Sequence, residues 1–325
     1  MVAIVSGNSL GVSLTSMNTL GQRGVQGVAT QGRNGELTYV NVFSGNLVLQ
    51  DRDDMLVNHG IDIAALRTYN SQGKFTDDNG DNWSNGVYSQ QLRINGSLSA
   101  TGSSIVRTGR DGSESTYLYD STRQLYVSTD GSGAYNTISV NAGNGQLVWS
   151  NGSSGLKETY DGSGSGRLLS STDSNGNTIA YSYGANGLLA SVTDAAGEAT
   201  YYDYNGTNLS QIRTVTADGH TLTRVRYSYD ASNRLSTVTL DLTPFDNAIS
   251  DNQVYRTTYT YDGNSKRIAS VTQSDGSSQS FTYVQVGADY RIATVQDGLN
   301  HVTSYNYDTA SGRTTVIDPL GLKTL

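Results

Sequence analysis

The chain has 325 residues, with 21 Lys or Arg against 29 Asp or Glu and a formal net charge of −8. That balance excludes a binder that tracks nucleic-acid phosphates, which needs a basic stripe, and a charged fraction of 15% is too small for charge-driven disorder. Cysteine is absent, so disulfides, thiolate metal sites and cysteine nucleophiles are excluded as well.

Polarity comes instead from 37 Gly with abundant Ser, Thr and Asn, beside 22 Tyr and only 2 Pro. This mixture suits short strands joined by tight turns, because aromatic and β-branched residues fit a pleated surface. The start, MVAIVSGNSLG, lacks the basic n-region and long apolar run of a signal peptide. No stretch approaches the ~18 consecutive apolar residues of a spanning helix. No window repeats apolar residues at i, i+3, i+4 and i+7, so the expected fold class is all-β with almost no helix.

In chain order, residues 1–36 read as a Gly/Ser/Asn-rich lead-in. From Leu37, LTYVNVFSGNLVLQ is two β-rich runs around Ser44-Gly45-Asn46, a hairpin signal. GIDIAALRTYN (60–70) alternates in polarity, TDDNGDNWSNG (76–86) is a polar loop, and VYSQQLRI (87–94) is a further strand. Residues 104–129 form hairpins turning at Asp111-Gly112 and Asp120-Ser121. Residues 37–110 are thus an opening segment of hairpins, and 111–325 a hairpin array that breaks off mid-repeat.

The second half carries the clearest order. Aromatic pairs two residues apart fall at Tyr181/Tyr183, Tyr202/Tyr204, Tyr227/Tyr229, Tyr259/Tyr261, Phe281/Tyr283 and Tyr305/Tyr307. A polar turn follows each, then a phrase such as NRLSTVT (233–239), KRIASVT (266–272) or YRIATVQ (290–296). Each unit is one β-hairpin, repeated at an interval that marks a repeat architecture. LTPFDNAISDNQ (242–253) is an insertion in an exposed loop.

Residues two apart on a strand share a face, so each pair points one way and neighbouring pairs are expected to build a ladder of rings. Asp230, Asp262 and Asp308 follow their tyrosines, where a carboxylate accepts backbone N–H groups in an Asx-type turn. Leu235 and Val238 are three apart, as are Ile268 and Val271. Such spacing puts them on opposite faces unless each strand carries a bulge, the usual means of curling a sheet.

These phrases, with DPLG (318–321) and the segment YVNVFSGNLVLQDRDD…GIDIAALRTYNS (39–71), resemble the Rhs/YD-repeat family. The resemblance implies a β-ribbon that spirals into a hollow, non-enzymatic shell. In bacterial members the shell encloses a C-terminal toxin or effector, which would be the partner here, and the location implied is secreted or at the cell surface. Relatives include insecticidal toxin complexes and the adhesive teneurins, so a cell-surface adhesin binding glycans is the alternative. VIDPLGLKT reads as the opening of one more repeat; the upstream proline of the family's cleavage segment is replaced by Arg313. The chain then reads as the front piece of a longer protein with an incomplete wall.

No catalytic residues are assigned. Asp77, Asn79 and Asp81 stand at the 1, 3, 5 spacing of a calcium loop, but position twelve is Tyr88 instead of the bidentate Glu. A solvated Asn-Gly turn is the competing reading, and no cofactor is expected. Asp51, Asp53 and Asp54 form an acidic cluster beside Arg52, and the three histidines, His59, His220 and His301, each stand alone.

Overall fold

A computed structural model describes residues 3–5, 37–56, 61, 63–72, 79–85, 90–109, 114–128, 135–216 and 218–324. Nearly all of the lead-in, His59, Asp77, the start of the 87–94 strand and the Asp111-Gly112 turn lie outside them. Every element among the described residues is a β-strand.

Two sheets form. The first has strands Ala3–Val5, Leu37–Asn41, Asn46–Leu56, Ile63–Asn70 and Trp83–Asn85, paired in that order. Only the first of these pairings is parallel. The second sheet is an uninterrupted antiparallel meander from Gln91–Asn95 to Lys323–Thr324, called the wall below. The sheet boundary therefore falls between Asn85 and Gln91, not at residue 110: Ser104–Thr108 ladders directly onto Glu114–Asp120, carrying the meander across that point.

The apolar spacing of three is resolved by a bulge in five of the six aromatic-pair hairpins, the Tyr305/Tyr307 hairpin pairing in straight register. Tyr229 pairs with Leu235 while its neighbour Ser228 pairs with Thr237, leaving Ser236 as the extra residue. The same shift recurs between Ser182/Tyr183, Asp203/Tyr204, Thr260/Tyr261 and Thr282/Tyr283. One extra residue restores the alternation, so Leu235 and Val238, Ile268 and Val271, and Ile292 and Val295 are all buried in one core. The bulges also twist and bend the sheet.

Its first coil closes on itself. Gln91 bridges Arg167, and the Leu92 N–H donates to the Gly166 carbonyl at 2.8 Å. Inside, Arg107 donates to Glu158 at 2.6 Å although their strands are five apart in the meander. In a flat sheet that separation would be about 24 Å, at ~4.8 Å per strand. Gln90 and Tyr160 complete the Glu158 shell at 3.0 and 2.6 Å, Arg107 lies 4.0 Å from the Trp149 ring centroid, and Trp149 donates to Tyr117 at 2.8 Å.

Candidate functional site

Past the first coil, the apolar face of the wall is covered by the five-stranded sheet, and this seam is the most elaborate polar arrangement among the described residues. Its construction starts with the bulge. Where the ladder between neighbouring hairpins stops, the Leu or Ile near the start of the hairpin's second strand is left with a backbone N–H and C=O to satisfy. The carbonyl is taken from within the wall. Tyr183 donates to Leu168, Tyr229 to Leu209, Tyr261 to Leu235, Tyr283 to Ile268 and Tyr307 to Ile292, at 2.6–3.0 Å.

The inserted sheet takes the N–H. Leu235 donates to Asp81 Oδ2 at 2.9 Å, Ile268 to the Tyr69 hydroxyl at 3.0 Å, and Ile292 to the Gly45 carbonyl at 2.8 Å. Three chemically different acceptors thus seat the sheet on three successive repeats. At Gly45 the backbone is left-handed (φ 69°) and an added Cβ would collide with the Arg291 side chain, so this hairpin tip requires glycine. Thr38 donates to Gln279 at 2.6 Å and Thr314 to the Val42 carbonyl at 2.7 Å, extending the seam along the wall.

At its centre lies a buried charge cluster. Arg67 makes a bidentate pair with Asp53 (both 2.8 Å), reaches Asp51 at 3.4 Å and donates to the Tyr259 hydroxyl at 2.8 Å. Tyr227 donates to Asp53 at 2.7 Å. The guanidinium sits 4.5 Å from the Trp83 ring centroid, and Trp83 meets Tyr259 edge-on at 4.9 Å. Burial is the main reason the Tyr227 hydroxyl is held well above its usual range, with the Asp53 charge adding to it. Burial likewise pushes the Asp51 carboxyl up to about 6, with Arg67 opposing and Asp53 reinforcing the shift. A cavity of about 30 Å³ lies alongside, lined by Asp53, Arg67, Asp81, Trp83 and Tyr229 among others.

The residues singled out in the sequence separate into distinct roles. Tyr181, Tyr202, Tyr227, Tyr259, Phe281 and Tyr305 are buried in the core, and Tyr183, Tyr204, Tyr229, Tyr261, Tyr283 and Tyr307 pack half-buried against it. The expected ring-on-ring ladder needs correcting. Tyrosine strands alternate with aliphatic ones, which spaces the pairs by two strands, roughly 10 Å, beyond the 4.5–7 Å of ring pairs. The rungs are instead the hydroxyl-to-carbonyl bonds above and the preceding repeat's arginine: Arg167, Arg234, Arg267 and Arg291 lie 4.4–5.6 Å from the rings of Tyr183, Tyr261, Tyr283 and Tyr307.

Asp230 Oδ1 accepts the Ser232 and Arg234 N–H groups, and Asp308 Oδ1 those of Ala310 and Ser311. Asp262 pairs its carboxylate with Arg267 at 2.8 Å, as Asp230 does with Arg234 at 2.7 Å. At the phrase DPLGL, Asp318 accepts the Leu320 and Leu322 N–H groups and the chain continues into strand Lys323–Thr324, so it folds as one more turn. Of the calcium-spaced residues, Asp81 directs one oxygen to the Trp83 N–H and the other to Leu235, and Asn79 Oδ1 accepts the Asp81 N–H. His220 and His301 pair with Asp218 and Asp297 in exposed turns. The sequence reading took Gly45 only as part of a hairpin turn and missed Arg67, Tyr69 and Arg107; an arginine inside an otherwise alternating apolar strand was the available signal for Arg67 and Arg107.

The RHS Repeat family is matched by residues 160–199. No curated protein matches the chain. Among solved structures, TcdB2-TccC3 without its hypervariable C-terminal region is similar at 10% identity and a TM-score of 0.28, over 66% of this chain and 15% of that one. TcdB2-TccC3-TEV is similar at 10% identity and a TM-score of 0.30, over 89% and 18%. The Tc holotoxin pore of Photorhabdus luminescens is similar at 10% identity and a TM-score of 0.29, over 88% and 20%. The chain therefore spans a fifth or less of the length of these three. The match to the RHS Repeat family is thus confined to residues 160–199, and the hairpins that follow repeat the bulge of the matched unit and its tyrosine anchor.

Proposed function

We propose that this chain is a length of structural, non-enzymatic shell wall whose parent protein encloses or presents a C-terminal effector. The observation that carries the reading is the continuous meander from Gln91 to Thr324, bent by a bulge in most units and closed at its first coil by the Gln91–Arg167 bridge. A sheet built this way encloses space, and its conspicuous side-chain clusters tie wall elements together. Arg107–Glu158 crosses the coil and Arg67–Asp53 crosses the seam. The effector is the partner proposed, and a secreted or cell-surface location goes with it.

The test is protease resistance of the C-terminal domain in the full-length parent. Survival of that domain in the intact shell, and its digestion once the shell is opened by Gly166→Ala, is expected; equal digestion in both sinks the reading. The alternative of an adhesin stacking sugars on the repeat tyrosines is disfavoured by their burial.

A further inference from the structure

The central cluster of the seam holds two carboxylates on one buried guanidinium, and the two are not equivalent. Asp53 has every oxygen engaged at short range, by Arg67 at 2.8 Å twice and by Tyr227 at 2.7 Å. Asp51 has one distant contact to Arg67 at 3.4 Å and accepts the Arg52 N–H at 2.8 Å. Its side chain is 14% exposed, against 2% for Asp53, so protons from solvent reach it. With a single buried cation between two anions, Arg52 being exposed, the second anion is the surplus charge in a poorly solvated place.

We propose that Asp51 is the titrating element of a latch between the inserted sheet and the wall: mild acid neutralises Asp51 and tightens the seat, and near-neutral solution ionises it and loosens the seat. This goes beyond the shell reading and stands whatever the shell contains. The groups facing Asp51 are Arg52 and Asp53 on its own strand, Arg67 on the neighbouring strand, and Tyr255 from the wall, whose hydroxyl its charge helps to push up. Around Asp53 stand Tyr227 and Tyr259, and Asp54 on the same strand faces Arg224 at 3.9 Å.

The direction follows from linkage. The folded Asp51 carboxyl sits at about 6 against an ordinary 3.8, so the seated sheet binds the proton more tightly than the released one. Stabilisation is full below the ordinary value and is lost as pH rises through about 6. The turn aspartates act in another window: Asp161 and Asp308, held low by Ser165 and Ser311, lose their contribution only in stronger acid.

Hydrogen exchange of the full chain, corrected for intrinsic rates, reads the latch strand by strand. Amides of Asn46–Leu56 and Ile63–Asn70 are expected to be protected roughly 20-fold more at about pH 4.5 than at about pH 7.5. Asp51→Asn keeps the shape without the charge and should hold acid-level protection at both pH values. Asp53→Asn, which disturbs the bidentate pair, should lower protection at both. Equal protection of the wild-type strands at the two pH values, or a pH difference that survives Asp51→Asn, overturns the proposal.

Discussion

At the scale of single residues, the second tyrosine of each pair works through its hydroxyl. Tyr283 donates to the Ile268 carbonyl at 2.9 Å, where the ladder between hairpins has ended. Tyr283→Phe leaves that carbonyl without its donor and is expected to cost about 1–3 kcal/mol. Tyr135→Phe, at a residue 82% exposed, should stay within about 0.5 kcal/mol of wild type. Denaturant unfolding of the two variants checks the difference. Arg67 tests the seam in the same way: Arg67→Met leaves the buried Asp53 without its cation and is expected to cost about 3–5 kcal/mol. The Tyr-x-Tyr-Asp phrase was legible as architecture because its alternation and turn chemistry are local. The acceptor of each hydroxyl was not, because it belongs to a different hairpin.

At the scale of elements, the hairpin is the unit and the bulge its defining feature. The three-residue spacing of Leu235 and Val238 could be read two ways from the sequence, as opposite faces or as a bulged strand; pairing of Tyr229 with Leu235 and of Ser228 with Thr237 decides for the bulge. Closure of the first coil depends on one turn. Gly166 is left-handed (φ 61°), its carbonyl accepts the Leu92 N–H, and an added Cβ would collide with the Leu92 carbonyl. Gly166→Ala is therefore expected to detach the Gln91–Asn95 strand from the turn. Hydrogen exchange should show lost protection at Leu92 with the later hairpins, such as Ser278–Val286 and Asp289–Asp297, unaffected.

At the scale of the whole molecule, turn aspartates set the acid limit and the seam sets the behaviour above it. Asp161 is lowered to about 2, chiefly by the Ser165 hydroxyl, and Asp308 is lowered chiefly by Ser311. Groups with depressed folded values stabilise above 3.8 and lose that contribution as pH falls through the folded value. Near-UV circular dichroism, reporting on the many tyrosines, should hold from neutral pH down to about 4 and collapse below it. The sequence by itself determined that the chain is all-β, that it is built of repeated hairpins, and that tyrosine, aspartate and glycine have fixed places within each. Those are consequences of alternation and turn chemistry, which act over a few residues. Tertiary structure alone decided that the five strands Ala3–Val5, Leu37–Asn41, Asn46–Leu56, Ile63–Asn70 and Trp83–Asn85 form a separate sheet seated on the wall, that Asp81, Tyr69 and Gly45 accept the N–H groups of Leu235, Ile268 and Ile292, and that Arg107 meets Glu158 inside the first coil. Each joins residues at least 50 positions apart in the chain, and such meetings depend on how far the sheet bends, a sum over many bulges that no single phrase of the sequence contains.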